Sequence, residues 1–170
     1  MSLVMRRNTL QWLLVGVLAL IPGMTTAQSG IVVLDTPCRL VDTRGDGERT
    51  GIVTVGTPRF FDLNVAGLST GQGGDTECTG LPGPGGGTDW VVNITVTGFS
   101  ANGALKVWGS DGGEPSTSII NYSAGHSPSV ANGAIVKGCR HECVFFGDIR
   151  VRALGSPTHV IIDVVGYLPN

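Results

Sequence analysis

Residues 90–98 read Trp-Val-Val-Asn-Ile-Thr-Val-Thr-Gly, and this stretch decides the fold. Val92, Ile94 and Val96 point one way, while Asn93, Thr95 and Thr97 point the other. A period of two with β-branched residues on the apolar side describes a strand that turns one face to a core and the other to solvent. Working outward from it, the chain shows short Val- and Ile-rich runs bounded by turn residues, the pattern of further strands.

Ile31–Leu34 and Cys38–Asp42 read as two strands separated by Thr36-Pro37, and Arg59–Leu63 as a third. Ala104–Trp108 follows Ala101-Asn102-Gly103, where Asn-Gly favours a hairpin. Ser118–Tyr122, Gly133–Val136, Val144–Phe146, Asp148–Ala153 and His159–Tyr167 complete the series. Outside the N-terminus no window holds a helical apolar period free of glycine and proline, so the crossover helices of a parallel sheet are missing. The 27 glycines suit tight turns, since glycine reaches positive φ without a steric penalty. The expected fold is all-β: an antiparallel sandwich, jelly-roll-like, of about nine or ten short strands. Residues 69–88 are almost without apolar side chains and read as a long exposed Gly-rich loop, tied down by Cys78.

The N-terminus has a different character. Arg6 and Arg7 precede an uncharged apolar run of ten residues, Trp12–Ile21, followed by Pro22-Gly23 and then Thr25-Thr26-Ala27. This is the layout of a secretory signal peptide over residues 1–27. The apolar run is about half of what spans a bilayer. A single domain, residues 28–170, then remains, with no transmembrane span. Without Arg6 and Arg7 the 11 basic residues fall to 9 against 13 acidic ones, a formal charge of −4. The basic residues form no cluster, and nucleic-acid binding, which needs a positive footprint, is not expected. Cys38, Cys78, Cys139 and Cys143 are an even set, which in an exported chain points to disulfides. Cys38–Cys78 and Cys139–Cys143 are the favoured pairs among three connectivities, the second closing a short hairpin. The competing reading, a metal held by Cys139, His141 and Cys143, has no obvious fourth ligand nearby.

Several segments together carry a resemblance. Pro37-Cys38-Arg39-Leu40-Val41-Asp42-Thr43-Arg44 stands near the start, Val92–Gly98 in the middle, and Val160-Ile161-Ile162-Asp163-Val164-Val165-Gly166-Tyr167 at the end. Between them lie Leu105–Trp108, Ser118–Tyr122 and Ala131–Val136. In order and spacing the chain resembles the exported all-β domain of acidobacterial and actinobacterial surface proteins, a domain without an established function. The resemblance implies fold and location, and brings no catalytic residues. In that family a cysteine often precedes the central strand, which is consistent with Cys78 pairing to Cys38, while Cys139–Cys143 looks like a local variation.

Candidate residues follow from chemistry out of place. Asp163 sits among β-branched residues, and Arg39 and Arg44 flank an apolar pair. A carboxylate in such surroundings needs a partner if it is buried. A structural ion pair of Asp163 with Arg39 or Arg44 is therefore expected, with a solvent-facing Asp163 as the alternative. Trp90, Trp108, Tyr122 and Tyr167 could stack on sugar rings or pack in the core. The acids at Asp42, Asp46 and Glu48 lack the regular spacing of a calcium loop. No Gly-x-Ser-x-Gly elbow accompanies His126, His141 or His159. No metal, cofactor or catalytic residue is assigned. The expected function is a non-catalytic structural, adhesive or assembly-forming surface module, secreted or at the cell surface, with itself as partner through edge strands. Carbohydrate binding to surface glycans is the alternative and a hydrolase a distant third.

Overall fold

The computed structural model describes residues 30–63, 71–83, 88–125, 128–141 and 147–169. The expected signal peptide, Val144–Phe146, His126 and Cys143 lie outside the described residues. The described residues form eight strands: β1 Val32–Asp42, β2 Arg59–Phe61, β3 Asp89–Thr97, β4 Gly103–Gly109, β5 Ile120–Tyr122, β6 Ser129–Lys137, β7 Ile149–Leu154 and β8 His159–Leu168. They form two four-stranded antiparallel sheets, a first in the order β1-β8-β3-β6 and a second in the order β2-β7-β4-β5. The fold is an all-β sandwich.

The alternation that announced β3 governs the packing. Trp90, Val92, Ile94 and Val96 point inward and are buried. β8 lies beside β3 and adds Val160, Ile162 and Val164 to the same layer. Facing them from the second sheet are Phe61, Leu105, Val107, Ile120, Ile149 and Val151. Each fully buried side chain of this size contributes roughly 1.5–3 kcal/mol of transfer free energy.

Three expectations need correction. The two opening strands are one, β1, which carries a register irregularity between Val33 and Cys38. Thr36-Pro37 falls inside it. Proline lacks the N–H a central strand must donate, but β1 is an edge strand and tolerates the break. Next, Asn102-Gly103 makes no hairpin, because β3 and β4 belong to different sheets. The chain crosses the end of the sandwich there. A Cβ on Gly103 would lie 2.4 Å from the Tyr122 ring, so the glycine serves close packing and not a turn. Finally, the Gly-rich stretch is not wholly exposed: Gln72 is completely buried.

Gln72 explains how that stretch docks. Its side-chain amide receives the Asp62 N–H at 2.7 Å and donates to the Asp62 carbonyl at 3.0 Å and the Leu40 carbonyl at 3.3 Å. Leu40 belongs to the first sheet and Asp62 follows β2 of the second, so one side chain ties both sheets at the same flank. Gly73 bridges to Val41 and the Asp75 N–H donates to the Arg39 carbonyl. Only glycine fits so close: a Cβ would come within 2.2 Å of the Asp42 oxygen at Gly73 and 2.3 Å of the Leu40 oxygen at Gly74. The expected Cys38–Cys78 disulfide is formed and clamps the same segment across a sequence separation of 40. Cys139 is disulfide-bonded as well, while its expected partner Cys143 is not described.

Replacing Cys38 and Cys78 together by alanine is expected to cost about 4 kcal/mol, the loop-closure value for this separation. Urea unfolding of the double variant checks it. Gln72→Ala leaves an amide N–H and two carbonyls unpaired in the interior. It should cost about 3 kcal/mol in the same assay.

Candidate functional site

The outward face of the first sheet carries the residues singled out in sequence. Arg39 and Asp163 stand opposite each other across β1 and β8. The guanidinium Nε donates to Asp163 Oδ1 at 2.8 Å and Nη2 to Oδ2 at 3.3 Å, a forked pair. The expected ion pair exists, and it lies on the solvent side of the sheet rather than in the core. Arg44 does not take part in it. Arg44 turns back on Asp42, donating from Nε at 2.9 Å and from Nη2 at 2.6 Å. Arg39 also approaches Asp42 at 3.6 Å, so the four side chains alternate in sign as Asp163, Arg39, Asp42, Arg44.

Arg39, Asp42 and Asp163 line a shallow groove of about 920 Å³ with Asn93, Gly74 and Asp75. Arg44, by hydrogen bonding, holds the Asp42 carboxyl below the usual aspartate range, and Asp163 raises the Arg39 guanidinium above its usual value. Glycoside cleavage needs a carboxyl held protonated near neutrality, and Asp42 is shifted the opposite way. Among the described residues no histidine, serine or cysteine lines the groove. The arrangement offers hydrogen bonds and paired charges. Among the described residues no group of three or more His, Cys, Asp or Glu is placed to hold a metal ion.

The aromatic residues are not where a sugar platform would need them. Trp90, Trp108 and Tyr122 are buried, and Tyr167 is half-buried with its ring 6.5 Å from that of Trp90. Trp90 shares the parity of Val92, Ile94 and Val96 in β3, and that parity is the signal in the sequence that separates core packing from sugar stacking at this position. Tyr122 shares the parity of Ile120 and packs on Phe99, with ring centroids 4.6 Å apart. Trp108 lies on the outer side of the second sheet opposite Arg150, and is nevertheless covered. No fully exposed aromatic side chain occurs among the described residues.

The remaining feature is an edge. β6 runs nine residues, Ser-Val-Ala-Asn-Gly-Ala-Ile-Val-Lys, and pairs with β3 at every position without a register shift. It has no proline and one charge, Lys137, at its end. Val130, Ala134 and Val136 face the core. Ala131, Gly133 and Ile135 face out, and Ile135 is 59% exposed. Beneath it Asn132 donates to the Ile119 carbonyl at 2.9 Å and closes the seam between the sheets. β6 ends its sheet, with no described strand on its other side. No family model, curated protein or solved structure matches this chain. No described helix is long and apolar enough to cross a membrane.

The Asp42 shift makes a pH prediction. Its folded pKa lies below the ordinary value of about 3.8. The stability it contributes is therefore complete above that pH and is lost as the pH falls through the folded value. Asp42→Asn should lower stability near neutrality by about 1 kcal/mol, Arg44 being half exposed. The difference from the parent should vanish in strong acid, as urea midpoints at the two pH values would show.

Proposed function

We propose that the chain is exported and acts as a non-catalytic surface module that assembles through strand addition at β6. The observation that carries this reading is the nine-residue edge itself, unbulged and nearly uncharged. A sheet edge of that kind is a template for another strand, and proteins that do not use one usually break it with proline, charge or a covering loop. The resemblance of the Pro37–Arg44, Val92–Gly98 and Val160–Tyr167 segments to an exported bacterial surface domain supports the location. So do the N-terminal signal-peptide pattern and the Cys38–Cys78 disulfide, which suits an oxidising compartment.

Glycan binding stands second and rests on the polar groove of Arg39, Asn93 and Asp163. That groove has hydrogen-bonding groups, but the aromatic rings that would stack on a sugar are buried elsewhere.

Expression of the full chain in a bacterial host tests the proposal. The product should be recovered outside the cytoplasm with Gln28 as its first residue. Light scattering over a wide concentration range should show reversible association, and a glycan array should show no binding. A monomer at every concentration contradicts the assembly reading, and array binding in that state favours the glycan reading.

A further inference from the structure

We propose that the strand added at β6 is the β6 of a second copy, antiparallel and centred on Gly133, so that two first sheets merge into one of eight strands. This rests on the assembly reading above and names its partner and register.

The four sheet margins differ in what they can accept. β2 and β5 are three residues each, too short to template a partner. β1 is irregular, contains Pro37, and is occupied along Arg39–Val41 by the segment that Cys78 clamps. β6 alone among the described strands is long, regular and open on one side.

Charge selects the partner and its direction. Lys137 is the one charged side chain of β6. Parallel in-register pairing would set lysine beside lysine. Antiparallel pairing about Gly133 sets each Lys137 against the other copy's Ser129 and keeps the two lysines roughly 27 Å apart, at about 3.4 Å per residue. The same register places the large, exposed Ile135 beside the small Ala131 of the other copy on the outer face. At the two-fold axis Gly133 meets Gly133, where a Cβ would find no atom nearer than 4.0 Å within its own chain. On the inner face Val130 meets Val136. Such cross-strand pairs are the unit of sheet stabilisation. With the β1 margin occupied, the described strands of each chain leave one long open edge, so the pairing closes as a two-fold dimer and does not propagate.

Position 129 gives a test with a sign. Ser129 is exposed, and its hydroxyl donates to Thr97 Oγ1 at 2.8 Å. Ser129→Glu and Ser129→Lys both lose that bond, so comparing the two isolates the charge. In the proposed register Glu faces the other copy's Lys137 and Lys opposes it, twice per dimer. The dissociation constant of the full chain, measured by analytical ultracentrifugation, should fall about fivefold for Ser129→Glu and rise about fivefold for Ser129→Lys. Under mild oxidation Gly133→Cys should cross-link to itself and Ala131→Cys should not, because only position 133 meets its own copy. Circular dichroism establishes that each variant keeps the parent fold. If the parent associates but both Ser129 variants shift the same way, or Gly133→Cys fails to cross-link, the β6 pairing is overturned while the assembly reading stands. Growth beyond two chains overturns the closed dimer, and a parent that never associates overturns both readings.

Discussion

Every strand at the margin of an open sheet presents N–H and C=O groups that must find partners. This sandwich has four such margins, and most of its unusual sequence serves to deal with them. On the β1 and β2 flank the solution is covalent and polar. Gln72 bonds to Leu40 on one sheet and to Asp62 beside the other, the glycines around it allow backbone to touch backbone, and Cys78 fastens the segment to Cys38. Arg49 adds an ion pair to Asp62 at the same place. On the opposite flank Asn132 closes the seam between the sheets, and among the described strands β6 has one neighbour. The asymmetry between the two flanks is the structural basis for placing function at β6.

The surface charges fit this picture as supports. Arg39, Arg44, Asp42 and Asp163 neutralise one another across the outer face of β1 and β8. Arg39 and Arg44 are more than two-fifths exposed, so each pair contributes at most about 1 kcal/mol. Their placement matters more than their energy. Asp163 lies mid-strand in β8, next to Asn93 on β3, where an unpaired carboxylate would face the neighbouring β-branched residues. On the second sheet Glu114 accepts from both Lys106 and Arg152, which lowers its pKa.

Much of this was legible in sequence because the signals were local. The period of two in Val92–Thr97 gave β3 and its faces directly. A carboxylate inside Val160–Val165 announced an ion pair, and Arg39 supplied it. Between Arg39 and Arg44 the sequence does not choose; Arg44 is taken by Asp42, two residues away, which outcompetes a partner on another strand. The joining of Ile31–Leu34 to Cys38–Asp42 was hidden by Thr36-Pro37, since local turn chemistry does not show that an edge strand can absorb it. Asn102-Gly103 misled for a related reason: the same dipeptide serves a hairpin or a crossing between sheets, and the contact of Gly103 with Tyr122 is non-local. Gln72 left no signal at all. A buried glutamine in a glycine-rich stretch becomes visible only when Leu40 and Asp62 are brought to it. The openness of β6 was equally hidden, because Gly133–Val136 reads the same whether one neighbour or two lie beside it.

In the single chain β6 ends its sheet, and in the proposed dimer it becomes an interior strand. Amide hydrogen exchange of the full chain, followed residue by residue at low and high protein concentration, tests this most directly. Alternate β6 amides between Ser129 and Lys137 point away from β3. These should exchange freely in dilute solution and become protected as concentration rises, while the amides bonded to β3 stay protected throughout. If β6 protection is the same at both concentrations, or if the concentration-dependent protection falls on β1 instead, the chains do not pair through β6.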